Sequence, residues 1–217
     1  MHETEYRTFG FEIRAAEDSN TLVGHAAVFD TLADIGGWFK EKIARGAFKK
    51  TLADNADVRA LLNHNPDKIF GRTKSGTLKL REDDTGLFNE ISMPDTTLGK
   101  DTMISVKRGD IDQESFAFQA IKEEWDETDP NNPIRTIIEV KLFDVSLVVF
   151  PAYPTTDVSA KSAENILAEH RSSIKSIQKV IEPPQEGHSK PIDPPTPDYA
   201  TANESRRKRL ALLELEG

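Results

Sequence analysis

The chain contains no cysteine in 217 residues. Disulfides and thiolate metal sites are thereby excluded, and a reducing compartment is the natural expectation. Long apolar runs are missing as well. No stretch approaches the ~18 consecutive apolar residues of a membrane-spanning helix. The N-terminal "MHETEYRTFGFEIRA" carries no apolar core of the kind that marks a secretory signal. A soluble, cytoplasmic protein without a membrane partner is expected. Basic charge is in deficit, with a net charge of −9. A nucleic-acid partner is not expected, because phosphate binding needs a basic surface. The one basic cluster, Arg206 to Arg209, reads as a solvated face. Hydrophobic residues make up 37% of the chain, which is low for a globular protein, so part of it should lie outside any core.

Several chemical signatures are absent too. The five histidines, His2, His25, His64, His170 and His188, show no metal-ligand spacing. There is no glycine-rich phosphate loop and no G-x-S-x-G elbow. No metal and no cofactor are expected.

What is present is mostly strand-like to about residue 155. "TFGFEIRAAEDSNTLVGHAAVFD" predicts two strands around a polar turn, and "ARGAFKKTLADN" a short helix from Ala44 to Asn55. "DVRALLNHNPDKIFGRT" reads as a strand ending in a loop at Asn65-Pro66-Asp67. "GTLKLRED" and "GLFNEISMP" flank a turn at residues 83–86 and predict a hairpin. Thr97 is a candidate cap for a helix stopped at Gly109. "RTIIEVKLFDVSLVVFP" predicts a long strand closed by Pro151.

The composition then changes. Leu167, His170, Ile174, Ile177 and Ile181 recur at a spacing that suits one helix seam over residues 157–182. Six of the twelve prolines fall between 183 and 197, which predicts an extended linker. The tail from 199 to 217 reads as a short amphipathic helix, too short to stand alone in water. The expected organisation is therefore a main domain over 1–156, a helical extension over 157–182, a Pro-rich linker over 183–198 and a terminal helix over 199–217. The expected class is α+β.

The chemistry centres on "DIDQESFAFQA", where a single hydroxyl, Ser115, opens an alternating Phe/Ala run. Ser115 is either an ordinary strand serine or a nucleophile on a rigid element. As a nucleophile it needs a base, since its free hydroxyl reacts weakly. His2, His170 and His188 lie outside the rigid part of the main domain, which leaves His25 in a strand and His64 in "LLNHNPD". His64 is the better choice, because it sits where an apolar strand breaks into a turn and can face a cleft. A third residue must orient the imidazole. Ile138, Val140, Leu142, Asp144, Ser146 and Val148 alternate onto one face, so Asp144 interrupts an apolar stripe and calls for a partner. A bulge that carries Asp144 into solvent is the plain alternative. Glu139 is the fallback for the orienting role.

With these residues in view, the chain resembles the tailed-phage prohead proteases, serine peptidases of capsid maturation. The resemblance runs from about residue 8 to 156 through "GHAAVFD", "ARGAFKKTL", "LLNHNPDKIFGRTKSGTLKLREDDTGL", "MPDTTLGKD", "KRGDIDQESFAF" and "LFDVSLVVFPAYP". It implies an assemblin-like fold, a small and mostly antiparallel β-barrel with surrounding helices. It implies His64 as base and Ser115 as nucleophile. Asp144 stands where assemblins carry a histidine as third member, and Ala117 where the family often has glycine. The resemblance also suggests an oxyanion hole from the backbone N–H groups of Ala152 and Tyr153. The implied activity is endopeptidase cleavage of scaffold segments and of the major capsid protein's N-terminal arm, and of the enzyme itself, inside the assembling prohead in the host cytoplasm. A homodimer, as in assemblins, and a monomer both fit. The competing reading is a catalytically inactive scaffolding or assembly protein built on the same barrel.

Overall fold

A computed structural model describes residues 4–16, 19–150 and 157–181. Ala152 and Tyr153, the Pro-rich linker and the terminal helix lie outside the described residues. In chain order the elements are β1 (Glu5–Glu12), β2 (Arg14–Ala15), β3 (Thr21–Val28), β4 (Ala33–Ile35), β5 (Phe39–Ile43), α1 (Lys49–Ala53), β6 (Arg59–Leu62), β7 (Asn65–Arg72), β8 (Leu78–Glu82), β9 (Gly86–Ser92), α2 (Thr97–Arg108), β10 (Gln113–Asp126), β11 (Ile134–Val148) and α3 (Asp157–Ile181).

The described strands form two sheets that do not close into the expected barrel. One sheet runs β1-β10-β11-β5-β4, with β6 also on β11 and β7 on β6; the other runs β2-β3-β9-β8. The reason lies in β11. It is long enough to pair in parallel with β5 through Ile134–Ile137 and then with β6 through Asp144–Leu147. One strand thus seeds two branches, and the sheet ends in separate edges instead of returning on itself.

The core fills the space between the sheets. Phe116 and Phe118 of β10, and Leu142, Val145 and Leu147 of β11, pack in one cluster with Leu22, Leu78, Leu87 and Ile91 of the second sheet. Phe116 stacks on Phe118 and meets Phe48 edge-on. By strand alternation Ser115 and Ala117 then point to the opposite face of the sheet.

Local chemistry explains most element ends. The helix predicted from Ala44 shrinks to Lys49–Ala53, because Gly46 takes φ +91, outside any helix. For α2 the cap is Thr96 rather than Thr97: its side chain accepts the Gly99 N–H at 3.1 Å. Gly109 closes that helix in the left-handed region. The hairpin β8–β9 turns on Asp83, whose Oδ1 accepts the N–H groups of Thr85 and Gly86. Residues 65–67, expected as a loop, begin strand β7.

Met1–Ser173 forms one compact unit and Ile174–Gly217 a second. In the first, Ala163 and Leu167 of α3 pack with Ile35 and Phe39. His170 stacks on Trp125, centroids 4.4 Å apart. Ile174 in the second unit is half-buried.

Candidate active site

Two strands and a hairpin turn bring the predicted residues together. Ser115 lies on β10, directly opposite Ser146 of β11, and Asp144 lies opposite Ala117. Asp144 reaches this face through a bulge. Phe118 pairs with Leu142 and Ala117 with Asp144, so Phe143 is an extra residue in β11. The expected single stripe from Ile138 to Val148 is therefore broken: Leu142 stays on the core face, and Asp144 is turned onto the face of Ser115. The bulge does not carry Asp144 into solvent, since the residue is only 9% exposed.

His64 sits in the two-residue turn between β6 and β7, with Leu62 paired to Asn65. Asn63 and His64 have φ +51 and +54. Two successive positive φ values are the signature of a type I′ hairpin turn, where glycine or asparagine is usual and histidine is strained. The turn is tied to the end of β11. The Asn63 N–H donates to the Leu147 carbonyl at 2.8 Å, and the Val149 N–H donates to Asn63 Oδ1 at 3.0 Å.

The result is a continuous chain of side chains. His64 Nε2 is 2.8 Å from Ser115 Oγ, and His64 Nδ1 is 2.7 Å from Asp144 Oδ1. With Nδ1–H donated to the carboxylate, Nε2 carries the lone pair that faces the serine. The Ser115 hydroxyl also stands 2.9 Å from the Arg7 carbonyl of β1, and its one proton serves one acceptor at a time. Tyr6 of β1 rests its ring edge-on against His64, centroids 4.7 Å apart. Ser115 has no exposed surface, whereas Tyr6 is half exposed.

The remaining candidates lie elsewhere. His25 Nε2 is 3.0 Å from both oxygens of Asp83. Asp83 pays for its partial burial, yet the His25 bond and the Gly86 and Thr85 N–H bonds outweigh that and hold its pKa at about 2. Glu139 pairs with Lys50 at 3.0 Å. Among the described residues no group of three or more His, Asp or Glu is arranged to hold a metal, and no helix is long and apolar enough to cross a membrane.

Two buried polar groups next to the site escaped the sequence reading. Arg135, with Arg7, binds Glu5 and Glu41, and also Glu123, in a cluster flanked by Phe118 and Trp125. Burial disfavours the Glu41 charge, but the two guanidinium groups more than offset this and lower its pKa. Glu114, the neighbour of Ser115, points inward. Both its oxygens accept from Asn89 Nδ2, at 2.9 and 2.8 Å. Gly24 makes room for it, since a Cβ there would lie 2.3 Å from Glu114 Oε2. Burial without a cation pushes the Glu114 pKa up to about 7, against the partial opposition of the Asn89 bonds. The signal for Glu41 was its place between Phe39 and Ile43 at core parity in "FKEKI".

The model of the Caudovirus prohead serine proteases matches residues 9–169. The chain belongs to that family. The match covers every residue of the hydrogen-bonded chain just described. Among solved structures, the bacteriophage T4 capsid assembly protease is similar over 69% of this chain and 98% of its own, at 12% identity and a TM-score of 0.48. No curated protein matches.

Proposed function

We propose that this family member is an active serine endopeptidase in which Ser115 is the nucleophile, His64 the general base and Asp144 the residue that holds the imidazole. The observation that carries this reading is the unbroken chain Ser115 Oγ–His64 Nε2 and His64 Nδ1–Asp144 Oδ1, at 2.8 and 2.7 Å. As Oγ attacks the scissile carbonyl, its proton passes to Nε2. The imidazolium that forms is stabilised by Asp144, then gives the proton to the leaving amine. Water hydrolyses the acyl-enzyme by the same route in reverse. Backbone N–H groups of Ala152 and Tyr153 are the proposed donors to the tetrahedral oxyanion.

The proposed substrates are scaffold segments and the N-terminal arm of the major capsid protein, cut inside the assembling prohead in the host cytoplasm. The enzyme itself is a further proposed substrate. Incubation of the purified chain with capsid protein tests both. Shortening of the capsid protein and of the chain itself is expected, and both should vanish in Ser115→Ala. Absence of cleavage by the wild-type chain would favour the inactive scaffolding protein.

A further inference from the structure

Ser146 faces Ser115 across the β10–β11 ladder, and the proposed chemistry leaves it unused. It has no exposed surface. A buried strand serine commonly gives its proton to a nearby carbonyl. This one donates to a carboxylate: Ser146 Oγ–H reaches Asp144 Oδ1 at 2.7 Å. That is the same oxygen that receives the His64 Nδ1–H, also at 2.7 Å. The Ser146 oxygen in turn accepts the backbone N–H of His64 at 3.3 Å.

The turn that carries His64 needs such a hold. Asn63 and His64 both lie at positive φ, a conformation that persists only where the surroundings over-determine it. Leu147 and Val149 of the β11 end bind Asn63. Ser146 is the residue of that end that binds the backbone of His64. A hydroxyl can donate to the carboxylate and accept from the amide at once. One side chain thus links the backbone of the base to the oxygen that orients its ring.

We propose that Ser146 is a positioning residue of the proteolytic centre, setting His64 and Asp144 in register so that Nε2 faces Ser115. This rests on the reading of Ser115, His64 and Asp144 as the catalytic residues. It makes Ser146 responsible for the rate of proton removal from Ser115 rather than for substrate binding.

The test uses an alkyl fluorophosphonate, which needs no knowledge of the substrate. Ser115 Oγ bonds to phosphorus, fluoride leaves, and the hydroxyl proton passes to His64. In Ser146→Ala the limiting inactivation rate is expected to fall about tenfold, the worth of one such hydrogen bond in the transition state. The half-saturating probe concentration should stay within about twofold, since the bound probe does not touch Ser146. The His64 Nδ1–H resonance should shift or broaden in proton NMR. Ser146→Thr, which keeps the hydroxyl, should recover most of the rate. Should Ser146→Ala fail to fold, Ser146→Cys replaces it, because a thiol is a weak donor and acceptor; an intermediate loss is expected. A folded Ala or Cys variant that reacts at the wild-type rate overturns the proposal. So does a Thr variant as slow as Ala with both losses tracking a fall in Tm. A wild-type chain inert to the probe overturns instead the underlying reading of a serine protease centre.

Discussion

Ser115 and Ser146 stand opposite each other on β10 and β11, one hydroxyl beside Nε2 of His64 and the other bonded to the carboxylate that takes Nδ1–H. Two neighbouring strands, about 4.8 Å apart, thus fix both ends of one imidazole. The proposed base, His64, comes from a turn that the end of the second strand holds.

Asp144→Asn should slow cleavage by roughly 10³-fold or more, since the amide can present its N–H to Nδ1 and so favour the wrong tautomer. Glu139→Gln should leave the rate unchanged and stability nearly so, because its partner Lys50 is largely exposed. Cleavage rates of the two variants against one substrate decide between them. The reverse pattern would move the orienting role to Glu139.

Two buried glutamates should give stability opposite pH dependences. Glu114 has its pKa raised from 4.5 to about 7 in the folded chain. Its contribution is full below the unfolded value and is lost as pH rises through about 7, a change of order 3 kcal/mol. Glu41 has its pKa lowered by Arg7 and Arg135 against the cost of burial, so its contribution is present above the ordinary carboxylate range and lost as pH falls. Denaturant midpoints in Glu114→Gln should therefore lose the decline between pH 5 and 8 while keeping the acid limb. An unchanged decline would show that Glu114 is not its source.

Arg135→Gln should destabilise the fold by about 3 kcal/mol or more, because it leaves the buried carboxylates of Glu5 and Glu41 with Arg7 alone. Chemical denaturation measures this directly. A loss under about 1 kcal/mol would mean that the cluster is more solvated than its burial implies.

Leu167→Ala should cost about 2–4 kcal/mol in the same assay, since Leu167 packs with Ile35 and Phe39 in a small satellite core. A neutral result would show that this part of α3 does not contribute to the folded unit.

Much of this was legible in the sequence wherever alternation and turn chemistry act locally. The hairpin about Asp83, the Gly109 stop and the long strand before Pro151 need only near neighbours. So does the break at "LLNHNPD", which left His64 as the favoured base. The parts that were not legible depend on distant pairing. Strand β7 has four consecutive exposed residues, Pro66 to Ile69, and so shows no alternation. The barrel expectation failed because nothing local reveals that β11 pairs with two strands in succession. The bulge at Phe143 is likewise set by the partner strand, and it changes which residues share a face with Asp144. Ser146 was placed on the same stripe as Asp144. Its bonds to Asp144 and to the His64 amide depend on the distant His64 turn, which no local pattern reveals.

The most direct test of the central claim is the site of covalent modification by a fluorophosphonate, read by mass spectrometry of the digested chain. A single adduct on Ser115 is expected, and it should be nearly absent in His64→Ala. An adduct on any other serine, or equal labelling of Ser115 without His64, would contradict the account.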